Sequence, residues 1–267
     1  MKSDTVQELI AQCGSGSPEQ QSLALMDLVA ARAVQAVPAI VPLLGATELT
    51  VRANAVYALG ALAAGHVDVA GPALVTLLED PEPLLRSEAI TALGILAYQP
   101  AAERIAGLLE HDPDPLVRAE AAETLGDMGA TDSVPALHTA LARDPDEAVR
   151  TYAANAIGLI GEPPSHAVLQ ECLARESSVH VRAEILGARY RLNDTAALQP
   201  LLAIFDTADQ DLAACLLNLF EDLLTRRQPP ALAADTAAIE AALDKVSTRE
   251  PGLQPHVEQL RVYLARP

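Results

Sequence analysis

The apolar positions of this chain recur with two superposed periods. Within short segments they fall three and four residues apart, the spacing of one face of an α-helix. In VRAEAAETLGDM, from Val117, the apolar set is Val117, Ala121, Ala122, Leu125 and Met128. Over longer distances the whole segment repeats. VRANAVYALG begins at Val51, LRSEAITALG at Leu85, VRAEAAETLG at Val117 and VRTYAANAIG at Val149, with a weaker copy, VRAEILGARY, at Val181. Their arginines, Arg52, Arg86, Arg118, Arg150 and Arg182, are separated by 34, 32, 32 and 32 residues. Degenerate copies begin at Gln21 and Leu212.

A second apolar segment precedes each copy: PALVTLLEDP, ERIAGLLEHDP, VPALHTALARDP, AVLQECLARES and LQPLLAIFD. The unit therefore reads as helix, short turn, helix. Asp-Pro marks the turns at Asp80-Pro81, Asp112-Pro113 and Asp144-Pro145, because proline ends a helix and disfavours helical backbone at the residue before it. One such pair cannot bury its apolar face, whereas stacked pairs bury a continuous core. The pattern predicts an all-α solenoid over residues 1–267. Residues 1–50 hold degenerate N-terminal repeats and 51–224 the core repeats. Residues 225–267, which begin at the RRQPPAL break (226–232), supply capping helices.

Two ladders run through the repeat. An acid stands six residues before four of the arginines, pairing Asp80 with Arg86, Asp112 with Arg118, Asp144 with Arg150 and Glu176 with Arg182. This spacing places the acid on the turn and the arginine in the first turn of the next helix, where units stack. Arginine suits the bridging of several acceptors better than lysine does, so the ladder reads as structural. The second ladder is Gly60, Gly94, Gly126 and Gly158, eight residues after each arginine. Glycine weakens a helix, and its return in every unit implies close helix approach.

The charge narrows the function. There are 36 acidic against 18 basic residues, a formal net charge of −18. A field of that sign repels phosphate backbones and anionic membrane surfaces, so the expected partners exclude direct nucleic acid and membrane and favour a basic protein. Cys13, Cys172 and Cys215 are scattered and odd in number, suggesting neither a disulfide framework nor a zinc site. They read as small apolar residues on helices. The N-terminal stretch carries Asp4 and Glu8 and no apolar core, and no run of 18 apolar residues follows. A cytoplasmic location is expected.

These units resemble short HEAT repeats of the phycobilisome-lyase type. The matching phrase is D-P-x-x-x-V-R-x-x-A-A-x-x-L-G, seen from Asp112 to Gly126 as DPDPLVRAEAAETLG. The resemblance covers roughly residues 17 to 224. It implies a right-handed α-solenoid of about seven to eight stacked HEAT helix pairs, with the arginine-bearing second helix lining the concave face.

The chemistry known on similar repeats finds few residues here. Deoxyhypusine hydroxylase places His-Glu immediately after the repeat arginine to bind two irons. The equivalent positions here are Ser87-Glu88, Ala119-Glu120, Thr151-Tyr152 and Ala183-Glu184, without a histidine, and carboxylates alone are a poor iron site. HEAT-like alkylpurine DNA glycosylases grip DNA with a basic face, and this chain offers acids instead. Phycobilin lyase subunits attach a bilin whose propionates call for Arg or Lys, and the candidate concave face is short of both. His66, His111, His138, His166, His180 and His256 form no i, i+3 or i, i+4 pair, so solvated or capping roles are expected. No phosphate loop, nucleophile elbow or zincin motif occurs. The chain reads as non-catalytic, with no cofactor and no metal.

The second helices carry one further pattern. The second residues after the arginines are Asn54, Glu88, Glu120, Tyr152 and Glu184, and the fifth are Tyr57, Thr91, Glu123, Asn155 and Gly187. Asp127 lies one turn beyond Glu123. These positions point away from the apolar stripe. The set Asn54, Tyr57, Glu88, Thr91, Glu120, Glu123, Asp127, Tyr152, Asn155 and Glu184 is acidic in its middle and carries two of the five tyrosines. It is the expected site of a basic protein surface or peptide. The leading expectation is an interaction scaffold. The alternatives are a phycobilin lyase-like subunit acting in chromophore attachment or detachment, and an immunity or antitoxin-like protein that covers a basic toxin.

Overall fold

The computed structural model describes residues 3–265. The first two residues of the polar N-terminal stretch and the last two of the capping segment lie outside that range. Among the described residues there are sixteen α-helices and no strand. The chain divides into two compact units, Met1–Ser133 and Val134–Pro267.

In the first unit α1 (Ser3–Ser15) pairs with α2 (Pro18–Ala30), α3 (Val37–Ile40) with α4 (Leu49–Leu62), α5 (Val67–Thr76) with α6 (Pro83–Ile95), and α7 (Ala102–His111) with α8 (Pro115–Asp127). The second helices α2, α4, α6 and α8 pack side by side. Proline shapes the first helices. Pro38 and Pro42 divide the residues before α4 into a short α-helix between two 3-10 turns, since each removes an amide donor from the ladder. At Pro83 and Pro115 the same residue opens a second helix, where the missing donor costs nothing.

The second unit repeats the plan. It comprises α9 (Val134–Arg143) with α10 (Glu147–Ile160), α11 (Ser165–Arg175) with α12 (Val179–Arg191), then α13 (Leu198–Ile204), α14 (Gln210–Thr225), α15 (Leu232–Arg249) and α16 (Gln254–Leu264). Its C-terminal core is the most aromatic part of the chain. Tyr190, Phe205 and Phe220 are fully buried there, with the two phenylalanine rings 5.7 Å apart. Cys13 and Cys172 are buried on their helices, as expected of small apolar residues, whereas Cys215 on α14 is exposed. No helix of the described residues is long and apolar enough to cross a membrane.

The turns between paired helices follow one design. The carboxylate of Asp80, Asp112 and Asp144 accepts the amide of the residue two positions on, each at 2.9 Å. The following acid caps the next helix: Asp114 accepts from the Leu116 amide at 2.8 Å and Asp146 from that of Ala148 at 2.8 Å. The arginine then closes the turn from behind. Arg86 Nη1 donates to the carbonyl of Asp80 at 2.9 Å, Arg118 to that of Asp112 at 2.9 Å, and Arg150 to that of Asp144 at 3.0 Å.

The acid six residues before each arginine thus offers its carbonyl, not its carboxylate. The carboxylate contact comes from the next unit. Arg86 meets Asp112 in a two-pronged pair with both bonds at 2.7 Å, and Arg150 meets Glu176 at 2.9 and 3.2 Å. Arg52 approaches Asp80 more loosely, at 3.8 Å. The sequence spacing hides this because the acid's own side chain is already turned onto the turn amides. Beyond Arg182, residue 208 is an alanine, so the series of acids ends there.

The glycine ladder sits where second helices approach. A β-carbon on Gly94 would lie 2.9 Å from the Thr124 side chain, and one on Gly158 2.8 Å from the Ala188 backbone. In the second case rigid helix backbone has to give.

Breaking the Arg86 pair leaves a guanidinium that is only 8% exposed without its charge partner. Asp112→Ala is expected to cost about 3–5 kcal/mol, whereas Asp80→Ala, which breaks the looser contact with Arg52, costs about 1 kcal/mol. Urea unfolding of both variants checks this. Equal losses would show that the two-pronged geometry adds nothing.

Candidate partner-binding face

Apart from Gly187, which is buried, the second and fifth positions after the arginines come out on the accessible side of the second helices. Tyr57, Tyr152 and Asp127 are exposed, and Asn54, Glu88, Thr91, Glu120, Glu123, Asn155 and Glu184 are half-buried. Hydrogen bonds join the fifth position of one helix to the second position of the next. Thr91 Oγ1 donates to Glu120 Oε1 at 2.6 Å, and Asn155 Nδ2 donates to Glu184 Oε2 at 3.3 Å. The sequence register carries no sign of these rungs. They follow from neighbouring second helices lying side by side, offset by one turn.

In the first unit the rung leaves an electrostatic surplus. Glu88 and Glu120 stand on adjacent helices, and the Thr91 hydroxyl donates to Glu120 and to the Ser87 carbonyl. Partial burial, followed by the Glu120 charge, holds the Glu88 carboxyl above the ordinary carboxylate range.

In the second unit the same face is closed. The end of α14 reaches over α12 to α10. Asp222 Oδ2 accepts from Asn155 Nδ2 at 2.9 Å and from Arg191 Nη2 at 2.5 Å, and Asp222 Oδ1 lies 3.2 Å from Arg226. Arg227 continues the clasp. Its Nη1 donates to the carbonyls of Leu159 and Ile160, at 3.0 and 2.5 Å, at the end of α10. Gly161 follows in the left-handed region, at φ 76°, and the Arg227 guanidinium fills the space where a β-carbon would stand. Only glycine meets both demands.

This enclosure sets unusual charge states. Burial pushes the Glu184 carboxyl up to about 7, against the opposing pull of the Asn155 amide and the Arg191 charge. Burial also lowers the pKa of Arg191, which is 2% exposed and whose Nε and Nη1 have no hydrogen-bond partner, while Asp222 pulls it back up. For Asp222 burial acts upward, and the Arg191 charge, the Asn155 amide and Arg226 together hold it below the ordinary range. Behind the cluster the Tyr190 hydroxyl donates to Asp235 at 2.7 Å, and burial and that carboxylate raise its pKa.

Arg191 was legible in principle. It lies nine residues after Arg182, on the same helical face as the second and fifth positions. Asp222 lies in a degenerate copy and gave no such signal.

Elsewhere three histidines have polar neighbours. His138 Nε2 lies 2.9 Å from Ser165 Oγ, but Ser165 is fully buried, and burial lowers the His138 pKa. His180 meets Glu147 at 3.1 Å and His256 meets Glu221 at 3.2 Å. Among the described residues no three metal-ligating side chains converge.

Glu184 makes stability depend on pH in a definite direction. Its pKa is raised from 4.5 to about 7 in the folded chain, so between those values the folded state holds a proton that the unfolded state has lost. Stability from this group is full below pH 4.5 and declines as pH rises to 7. The loss is at most about 3 kcal/mol. Urea midpoints between pH 4.5 and 8 are expected to fall in the wild type relative to Glu184→Gln. Parallel curves would place Glu184 in contact with bulk water.

The chain matches the family described as HEAT repeats over residues 6–94, 61–126, 102–188 and 134–219. No curated protein matches its sequence. Solved structures share the fold. The complex of CpcE and CpcF of phycocyanin lyase from Nostoc sp. PCC7120 is 22% identical, with 97% of this chain and 93% of that chain covered at a TM-score of 0.53. YibA of E. coli is 16% identical, with 100% and 93% covered at 0.56. The karyopherin Kap121p, bound to the extreme C-terminus of the protein phosphatase Cdc14p, is 16% identical, with 98% of this chain and 33% of that chain covered at 0.60. The matched segments overlap from residue 6 to residue 219 and carry the repeated arginine, its acid and its glycine: the chain belongs to the HEAT-repeat family.

Proposed function

We propose that this protein is a non-catalytic interaction scaffold that holds a basic surface or peptide of a protein partner on the acidic face of its second helices. One observation carries the reading. On α4, α6 and α8 the positions two before, and two, five and nine after, the repeat arginine share one helical face. These twelve residues include Glu88, Glu120, Glu123 and Asp127, no lysine or arginine, and none that is buried. An accessible face of one sign steers and selects a partner of the other.

The second unit contributes differently. Its residues of the same class, Asn155 and Glu184, are held in the cluster with Asp222 and Arg191. Tyr152 on α10 is exposed.

The structural neighbours support the fold of a scaffold and leave the partner to the face itself. One of them is solved with the end of another protein bound to it. The lyase-like alternative rests on shared fold alone, and bilin absorbance after co-expression with a phycobiliprotein is the result that would favour it.

Affinity capture from the native host, with wild type beside the Glu88→Lys, Glu120→Lys, Glu123→Lys triple variant, tests the proposal. Partners held by the wild type at low salt are expected to drop at least about tenfold with the variant and to elute as salt rises. Partners that survive charge reversal at low salt would locate the binding site elsewhere.

A further inference from the structure

The acidic face continues onto α2, where its character changes. The buried residues Ala24, Leu25 and Leu28 of α2 match Ala55, Val56 and Leu59 of α4, 31 positions later. The degenerate N-terminal copy is therefore in register one residue earlier than its sequence phrase suggests. In this register Leu23 corresponds to Asn54 and Met26 to Tyr57. Both are exposed, Leu23 at 67% and Met26 at 45%.

The other exposed apolar side chains gather on the same face. Among its described residues the first unit has nine large ones: Val34, Leu49 and Val69 lie elsewhere, and Leu23, Met26, Tyr57, Leu84, Ile95 and Leu116 occupy the face positions. Leu84 and Leu116 stand two residues before their arginines, and Ile95 nine after. On α6 the apolar Leu84 and Ile95 thus flank Glu88, and on α8 Leu116 precedes Glu120, Glu123 and Asp127. On α2 Leu23 and Met26 take both middle positions, and on α4 Tyr57 takes one of them beside Asn54.

A groove of about 580 Å³ opens between the starts of α2 and α4. Leu23, Val51 and Pro18 give it apolar walls, and Glu19 and Glu48 line it with carboxylates. Its size is that of small-ligand sites, enough for a large side chain with a cation beside it. Exposed apolar clusters of this kind on a soluble surface mark interaction sites.

We infer that the partner's contact is a basic segment studded with large apolar side chains, lying across α2, α4, α6 and α8. Its cations meet the glutamates of α6 and α8, and an apolar side chain next to a cation enters the groove beside Leu23. Charge complementarity sets the sign, since no face position on the four helices carries a base. The apolar content sets the rest: a uniformly polar basic peptide would leave Leu23, Met26 and Tyr57 facing water. Second helices spaced by about 8–10 Å put the four within about 30 Å, the length of a 20-residue helix. The inference rests on the scaffold reading above and adds the apolar requirement to it.

Two synthetic 20-residue peptides of equal charge test it, one of alternating Lys and Leu and one of alternating Lys and Ser, titrated into the full chain by fluorescence anisotropy. The Lys/Leu peptide is expected to bind at least about tenfold tighter and to keep part of its affinity at 0.5 M salt (a level at which exposed charges are largely screened). The Leu23→Ser, Met26→Ser variant loses that preference. A Val34→Ser, Val69→Ser variant, altered at exposed apolar residues off the face, keeps it. If the two peptides bind alike and the Leu23 variant behaves as wild type while Glu88→Lys, Glu120→Lys, Glu123→Lys abolishes binding, the apolar inference is wrong and the acidic scaffold stands. If neither peptide binds, or if both survive the triple charge reversal, the scaffold reading falls with it.

Discussion

The guanidinium of Arg86 holds two acceptors of different kinds: a backbone carbonyl on its own turn and the carboxylate of Asp112 on the next. That division of labour spaces the units. The carbonyl fixes where the second helix starts relative to its turn, and the carboxylate fixes where the following turn lies relative to that helix. The same arrangement returns at Arg150 with Glu176, and in a slacker form at Arg52 with Asp80. Apolar burial supplies most of the driving force for stacking, but alanine- and leucine-rich surfaces slide easily over one another. Directional bonds repeated at one point per unit remove that freedom, and the glycines at Gly94 and Gly158 let the helices close to the distance at which the bonds form.

The fold was readable because each layer of the signal agreed with the others. The 32-residue period, the helical apolar spacing, the Asp-Pro turns and the arginine all mark the same boundaries in the core repeats. The acid–arginine relation was visible as a spacing but not as a geometry, since a carbonyl and a carboxylate of one residue have the same sequence position. Legibility failed where copies degenerate. The register of α2 is one residue off its sequence phrase, because leucine and methionine there stand on the exposed side and a count of apolar residues cannot tell them from core.

The candidate face shows the same limit at higher stakes. Thr91 with Glu120 and Asn155 with Glu184 are equivalent in the repeat, and the sequence treats them alike. In the first unit the pair remains accessible and leaves Glu88 in surplus. In the second, Asp222 and Arg191 enclose it and raise the Glu184 carboxyl to about 7. What separates them is where α14 ends, a property of a segment outside the clear repeats. Sequence patterns report the environment common to every unit, and a site becomes functional through the departures from that common environment.

The clasp of Arg227 onto the last carbonyls of α10 has a consequence for how the chain reaches its final form. Most contacts in stacked repeats join residues close in sequence, which favours rapid local assembly. This one joins residues 67 positions apart. On a ribosome α10 emerges well before Arg227 does, so its C-terminal turn first forms with those carbonyls facing water. The enclosure around Asn155 and Glu184 therefore closes only once α14 and Arg227 have been made, and it ties α10 to a segment synthesised well after it.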